Sequence, residues 1–117
     1  MNDILKDSIL AAQDIKIEPV DVPEWAGRVY VKTLSSAERD QFERSGIESR
    51  KGGESKVNLT NIRARLAVHV ICDAKGVRLF GDNDADALGK KSAKALDRIW
   101  EKANDMSAAD TVKVKQE

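Results

Sequence analysis

Leu59-Thr60-Asn61-Ile62-Arg63-Ala64-Arg65-Leu66-Ala67-Val68-His69-Val70-Ile71-Cys72-Asp73-Ala74-Lys75-Gly76-Val77-Arg78-Leu79-Phe80 is the stretch around which this chain is organised. Ile62, Leu66 and Val70 fall four apart and mark one face of a helix. From Leu66 to Cys72 every position except His69 is apolar. A helix that is apolar on most sides must be surrounded, so residues 59–72 are expected to form the central core helix. Asp73-Ala74-Lys75-Gly76 then signals a turn, with Gly76 free to take a positive φ. Val77, Leu79 and Phe80 follow as a short extended piece.

Upstream of that stretch, Ser35 with Glu38 three residues on is a capping box. The helix it opens presents Ala37, Phe42 and Ile47 and is otherwise charged, with Gly46 weakening its end. Residues 49–57, with Gly52-Gly53 and mixed charges, have little to bury and read as a flexible loop. Residues 15–34 alternate as strands do. Ile15, Ile17, Val20 and Val22 form one run and Val29, Tyr30 and Val31 the other. Pro23-Glu24-Trp25-Ala26-Gly27 is the hairpin connection, with Gly27 in its demanding backbone position. Pro19 cannot donate to a ladder, which makes the first strand an edge. The first residues, NDILKDSILAAQ (2–13), form a short helix with Ile4, Leu5, Ile9 and Leu10 in an apolar stripe and Asn2 or Asp3 as cap. A helix this short is marginal alone and must dock on its own domain or on a partner.

Downstream, Gly81-Asp82-Asn83-Asp84 leads into a short helix, capped by Asp82 or Asp84 and broken at Gly89. Residues 90–106 form the clearest amphipathic helix, with Leu96, Ile99, Trp100, Ala103 and Met106 on one face. Small and charged residues without periodicity fill 107–117, which is expected to fray. The fold class is therefore α+β and predominantly helical: an N-terminal β-hairpin, then three to four helices around a central core helix. An amphipathic helix over 1–14, a single domain over 15–106 and a flexible tail over 107–117 divide the chain.

The 117 residues carry no net charge, and 34% of them are charged while 4% are aromatic. There is thus no global pull toward nucleic acid or an anionic membrane. The charge is segregated, however: residues 1–24 sum to −4 and residues 25–65 to +4. A single cysteine excludes an internal disulfide and suits a reducing cytoplasm. No apolar run reaches the roughly 18 residues of a membrane span, and the start of the chain lacks a signal-peptide pattern.

Chemistry-bearing motifs fail on inspection. Asp82-x-Asp84-x-Asp86 opens like a calcium loop, but Ala87 and Ala93 occupy the places where an EF-hand needs Gly and Glu. Gly89-Lys90-Lys91-Ser92 lacks the earlier glycine of a phosphate loop, whose place holds Asp84. His69 and Cys72 are two ligands without companions, better read as a hydrogen-bonded core histidine and a buried thiol. No metal, cofactor or catalytic residue is expected, and the chain does not read as an enzyme. Arg50, Lys51, Lys56, Arg63 and Arg65 leave one alternative, a small DNA-binding regulator using the Arg50–Arg65 region.

Two stretches carry a family resemblance. The first is Val22-Pro23-Glu24-Trp25-Ala26-Gly27-Arg28-Val29-Tyr30-Val31-Lys32-Thr33-Leu34 followed by Ser35-Ser36-Ala37-Glu38-Arg39-Asp40-Gln41-Phe42-Glu43. The second runs from Arg63 through Asp73–Phe80 to Ala87-Leu88-Gly89 and Leu96-Asp97-Arg98-Ile99-Trp100. Together they resemble the tail assembly chaperones of long, non-contractile-tailed phages of the lambda and HK97 kind. The resemblance implies a non-enzymatic protein that coats the tape measure protein and keeps it soluble. It also implies help in recruiting tail tube protein, self-association into homo-oligomers, action in the host cytoplasm and absence from the mature virion. A longer form made by ribosomal frameshifting near the end of the short frame is a further family trait. A minor structural tail protein is a weaker alternative. Candidate protein-binding residues are Ile4, Leu5, Ile9 and Leu10 in the N-terminal stripe, Trp25 and Arg28 in the hairpin, and Trp100. Trp25 is open between local packing and a partner contact, whereas Trp100 on its regular face reads first as core.

Overall fold

The computed structural model describes residues 3–49 and 55–116, with side-chain surroundings for residues 3–47 and 58–107. A short helix, α1 (Lys6–Ala11), opens the chain. It is briefer than the expected span, and Asp3 does not cap it: Leu5 occupies the cap position, and no side chain bonds the free N–H groups. Asn2, the other expected cap, lies outside the described residues.

β1 (Ile17–Val22) and β2 (Gly27–Lys32) form an antiparallel hairpin joined by a 3-10 turn at Pro23–Trp25. The left-handed residue of that turn is Ala26, with φ 55°, and not Gly27, which is already in β2. The Thr33 N–H donates to the Lys16 carbonyl at 2.9 Å, which fixes the phase of the ladder. Lys16, Glu18 and Val20 turn their backbone groups toward β2, while Ile17, Pro19 and Asp21 turn theirs outward. Pro19 thus loses its N–H on the open side of the edge strand, where it costs no ladder bond.

Ser35 caps α2 (Ser36–Ser45) through the expected box: its Oγ accepts from the Glu38 N–H at 3.2 Å, and Glu38 Oε1 accepts from the Ser35 N–H at 3.0 Å. Buried Lys32 adds its Nζ to the same carboxylate at 2.6 Å, locking the helix start to β2. Beyond α2, the expected loop over 49–57 contains strand. β3 (Ile47–Ser49) and β4 (Ser55–Val57) pair antiparallel, with Ile47 opposite Val57; residues 50–54 of that loop lie outside the described residues. A Gly-rich tip between two β-branched positions is a hairpin signal as much as a loop signal, and the ladder satisfies backbone groups that a loop would leave to water.

α3 (Ile62–Val70) is the central element. Ala64, Leu66, Ala67, Val68, His69 and Val70 are all buried, and the helix packs on α2, on β2 and on two later helices, α4 (Ala85–Leu88) and α5 (Ala93–Gln116). The small side chains of Ala64 and Ala67, at 0% and 1% exposure, are buried in that packing. The expected helix to Cys72 stops two residues early, however. Ile71 turns extended, and β5 (Ile71–Cys72) pairs with Val31 and Tyr30 to complete a sheet in the order β1-β2-β5. The inner edge of β2 would otherwise bury unpaired backbone groups, and that need overrides helical continuation.

After β5 the Asp73 carboxylate accepts from the Lys75 and Val77 N–H groups at 2.8 and 3.0 Å, and Gly76 takes φ 88°. Arg78 returns to bridge with Cys72. A 3-10 turn at Asp82–Asp84 leads into α4. The Asp84 carboxylate accepts from the Gly81 N–H at 2.8 Å. α5 starts at Ala93, with Ser92 Oγ accepting from the Ala95 N–H at 3.4 Å, and runs on to Gln116. Helical backbone thus continues over residues 107–116, a stretch that holds neither Gly nor Pro. Val22, Val31, Ile71, Leu88, Leu96, Ile99 and Met106 close the core around α3.

His69 departs from the expected hydrogen-bonded core histidine. It is buried edge-on against Phe42, with ring centroids 6.4 Å apart, and its Nδ1 has no hydrogen-bond partner. Its Nε2 stands 4.0 Å from Asp82 Oδ1. Burial, and next the charge of Arg78, holds its pKa below the ordinary histidine value and keeps the ring neutral. The thiol of buried Cys72 donates to the Tyr30 carbonyl at 3.6 Å, and burial pushes its pKa up, away from thiolate chemistry.

Candidate protein-binding surfaces

The N-terminal stripe stands clear of the domain. Ile4, Leu5, Ile9 and Leu10 are 67%, 74%, 53% and 74% exposed, and no residue of α1 is buried. Apolar side chains this open on consecutive turns are unusual in a finished surface.

Trp25 lies at the hairpin tip, half-buried against the core. The neighbouring Glu24 carboxylate accepts two bonds from the Arg98 guanidinium, at 2.9 and 3.1 Å, which staples the tip to α5. That bidentate pairing holds Glu24 below its usual carboxylate range. Trp25, Phe80, Ala87 and Leu88 line an apolar cleft of about 470 Å³ with Asp84 and Lys91 at its rim. Arg28 is a solvent-exposed neighbour: its Nε donates to Asp21 Oδ1 at 3.2 Å across the hairpin, at the register position opposite.

Trp100 lies elsewhere. The Arg63 guanidinium sits 5.4 Å from its ring centroid while donating to Asp97 at 2.7 Å, so one face of the indole is covered by a cation. The remainder packs against the core and walls a groove of about 540 Å³ between α2 and α5. Leu34, Phe42, Leu66, Val70 and Ala103 share that wall, and Asp14, at the root of the arm, lines it too. The fold therefore puts Trp25 and Trp100 in different clefts and places the arm's root at the second.

Sequence reading passed over a third apolar surface. Ile47 and Leu59, 51% and 65% exposed, join Phe42 and Ile62 around a smaller hollow of about 280 Å³. The available signal was two large aliphatics flanking a polar, Gly-rich run, in no helical stripe. Of the basic residues that could have read DNA, Arg63 and Arg65 are engaged by the protein itself, Arg63 by Asp97. Arg65 donates to the carbonyls of Thr60 and Asn58 and to Ser45 Oγ, and Asn61 donates to the Ala85 carbonyl. Arg50 and Lys51 lie outside the described residues. The calcium-like aspartates are similarly occupied: Asp82 by Arg78 at 2.9 Å and Asp84 by the Gly81 N–H. Among the described residues no group of three or more His, Cys, Asp or Glu could hold a metal ion, and no helix is long and apolar enough to cross a membrane.

An α+β body with exposed apolar residues on an N-terminal arm is the architecture here, and its fold is shared with a solved structure. The structure of the bacteriophage HK97 tail assembly chaperone superposes with a TM-score of 0.57, covering 85% of this chain and 89% of that one at 16% identity. The family model for phage tail assembly chaperones matches residues 4–117, and the chain belongs to that family. A comparison with curated protein sequences gives no match. Family membership points to a non-enzymatic role among tail proteins.

Proposed function

We propose that this chain holds the tape measure protein of a long-tailed phage in solution during tail assembly and helps recruit tail tube protein around it. The observation that carries this reading is the unpartnered apolar arm, Ile4, Leu5, Ile9 and Leu10, on a heavily charged body. A tape measure protein exposes long apolar helical stripes that aggregate until covered, and a short amphipathic helix is the matching tool. Trp25, Arg28 and Trp100 are the further contacts. The acidic arm region, −4 over residues 1–24, complements the +4 over residues 25–65 of another copy, which favours homo-oligomers around the tape measure. The protein acts in the host cytoplasm and leaves before the virion is finished.

Co-expression with the long helical protein encoded just downstream tests the proposal. The partner should become soluble and co-purify only when this chain is present. A partner that stays insoluble, with this chain and with any frameshifted longer form, removes the reading.

A further inference from the structure

We propose that, in the monomer, the N-terminal arm closes over a track along α2 of its own chain. The track joins two surfaces beside that helix, the Trp100 groove, which mixes apolar side chains with Lys32, Arg39 and Glu43, and the apolar Ile47–Leu59 hollow. The Trp100 groove and the Ile47–Leu59 hollow share Phe42 and Glu43 as a common wall, so they form one continuous strip. Asp14, the arm's root, lines the near end of the strip. Arg65 lies at the far end, where among the described residues its guanidinium meets only neutral oxygens. The arm matches this strip in both chemistry and order. Its apolar residues Ile9 and Leu10, nearest the root, face the Trp100 end. Leu5 and Ile4 reach Phe42 and Ile47, and Asp3 and Asp7 bring carboxylates toward the Arg65 guanidinium.

Energetics favours closure within one chain. α1 has six residues and no side-chain cap, so it gains little stability from its own backbone. Its apolar side chains, with Ile47 and Leu59 of the strip, are exposed while the arm stands open, and Phe42 and Trp100 are only partly covered. The two surfaces are tethered by Ala12–Lys16, and a tether that short gives an effective concentration on the order of millimolar, well above that of a second molecule in dilute solution. Closure has a functional consequence that rests on the arm being the association element. A closed arm keeps its stripe away from partners, and the same strip offered to a neighbour's arm, or to an amphipathic partner helix, opens it by exchange.

Nuclear Overhauser contacts and amide exchange in the dilute monomer decide the matter. Arm methyl groups should contact the Trp100 and Phe42 rings at a concentration where sedimentation shows monomer only. The α1 amides should exchange about tenfold or more slowly than in an Ile47→Asp/Leu59→Asp variant. Both substituted positions are exposed, so that variant keeps its fold, which circular dichroism verifies. Contacts that appear only as oligomers form would overturn closure while leaving the proposed function standing. An arm free at every concentration would overturn it too. Loss of tape measure solubilisation on deleting residues 1–14 is a separate reading that tests only the proposed function.

Discussion

The N-terminal arm and the central α3–β5 segment are both rich in aliphatic residues, yet they end in opposite environments. In the arm, Ile4, Leu5, Ile9 and Leu10 remain more than half exposed, whereas Leu66, Val68, Val70 and Ile71 are at most 7% exposed. The difference lies in the opposite faces. Charged residues interrupt the arm at Asp3, Lys6 and Asp7, so it offers one narrow stripe, while Leu66–Cys72 of α3 and β5 is apolar at every position but His69 and is enclosed by elements on several sides. A segment apolar on most sides is enclosed by the fold; a one-sided, uncapped one is left at the surface.

The largest break in this contrast should come from the enclosed side. Ile71→Ala removes a fully buried side chain at the strand that completes the sheet, and should cost about 2–5 kcal/mol in urea denaturation. A cost under about 1 kcal/mol would mean that β5 does not close the core. Ser35→Ala removes the capping box beside the sheet and should cost about 1 kcal/mol by the same measurement.

A titration sharpens the contrast further, because only the enclosed segment buries a histidine. The folded His69 pKa lies below the ordinary value of 6.5, so on acidification the unfolded chain takes its proton first. Stability should be full above about pH 6.5, fall as pH drops from there toward the folded value, and level off for this group below it. His69→Gln should flatten that slope in urea midpoints measured from about pH 8 to about pH 5. The carboxylates of Glu24 and Asp82, lowered by hydrogen bonds from Arg98 and Arg78, act in a separate and more acidic window. A slope unchanged by the substitution would place its origin elsewhere.

In the arm the stability effect should be well below that at Ile71: Leu5→Asp/Leu10→Asp should cost only what arm closure supplies, about 1.4 kcal/mol for tenfold protection, yet abolish co-solubilisation of the tape measure protein. If solubilisation survives, the stripe is not the contact, and Trp25 and Trp100 become the positions to substitute.

What the sequence determined by itself was local. The Ser35–Glu38 box and the positive φ of Gly76 depend on bonds within a few residues, the edge position of Pro19 and the amphipathic face of α5 are written in residue type and spacing, and each is present. The exposed stripe was legible as residues, because its spacing lies in the chain. Tertiary structure decided where apolar residues find partners. Ile71 and Cys72 leave the helix because the edge of β2 needs pairing, and a run of aliphatics is equally compatible with helix or strand until that edge exists. Ile47 becomes part of a hairpin and of an apolar hollow, and Phe42 joins two surfaces, only because α2 and α3 lie side by side. Local hydrogen bonds are written in neighbouring residues, whereas hydrophobic burial is non-directional and takes its partners from the whole fold.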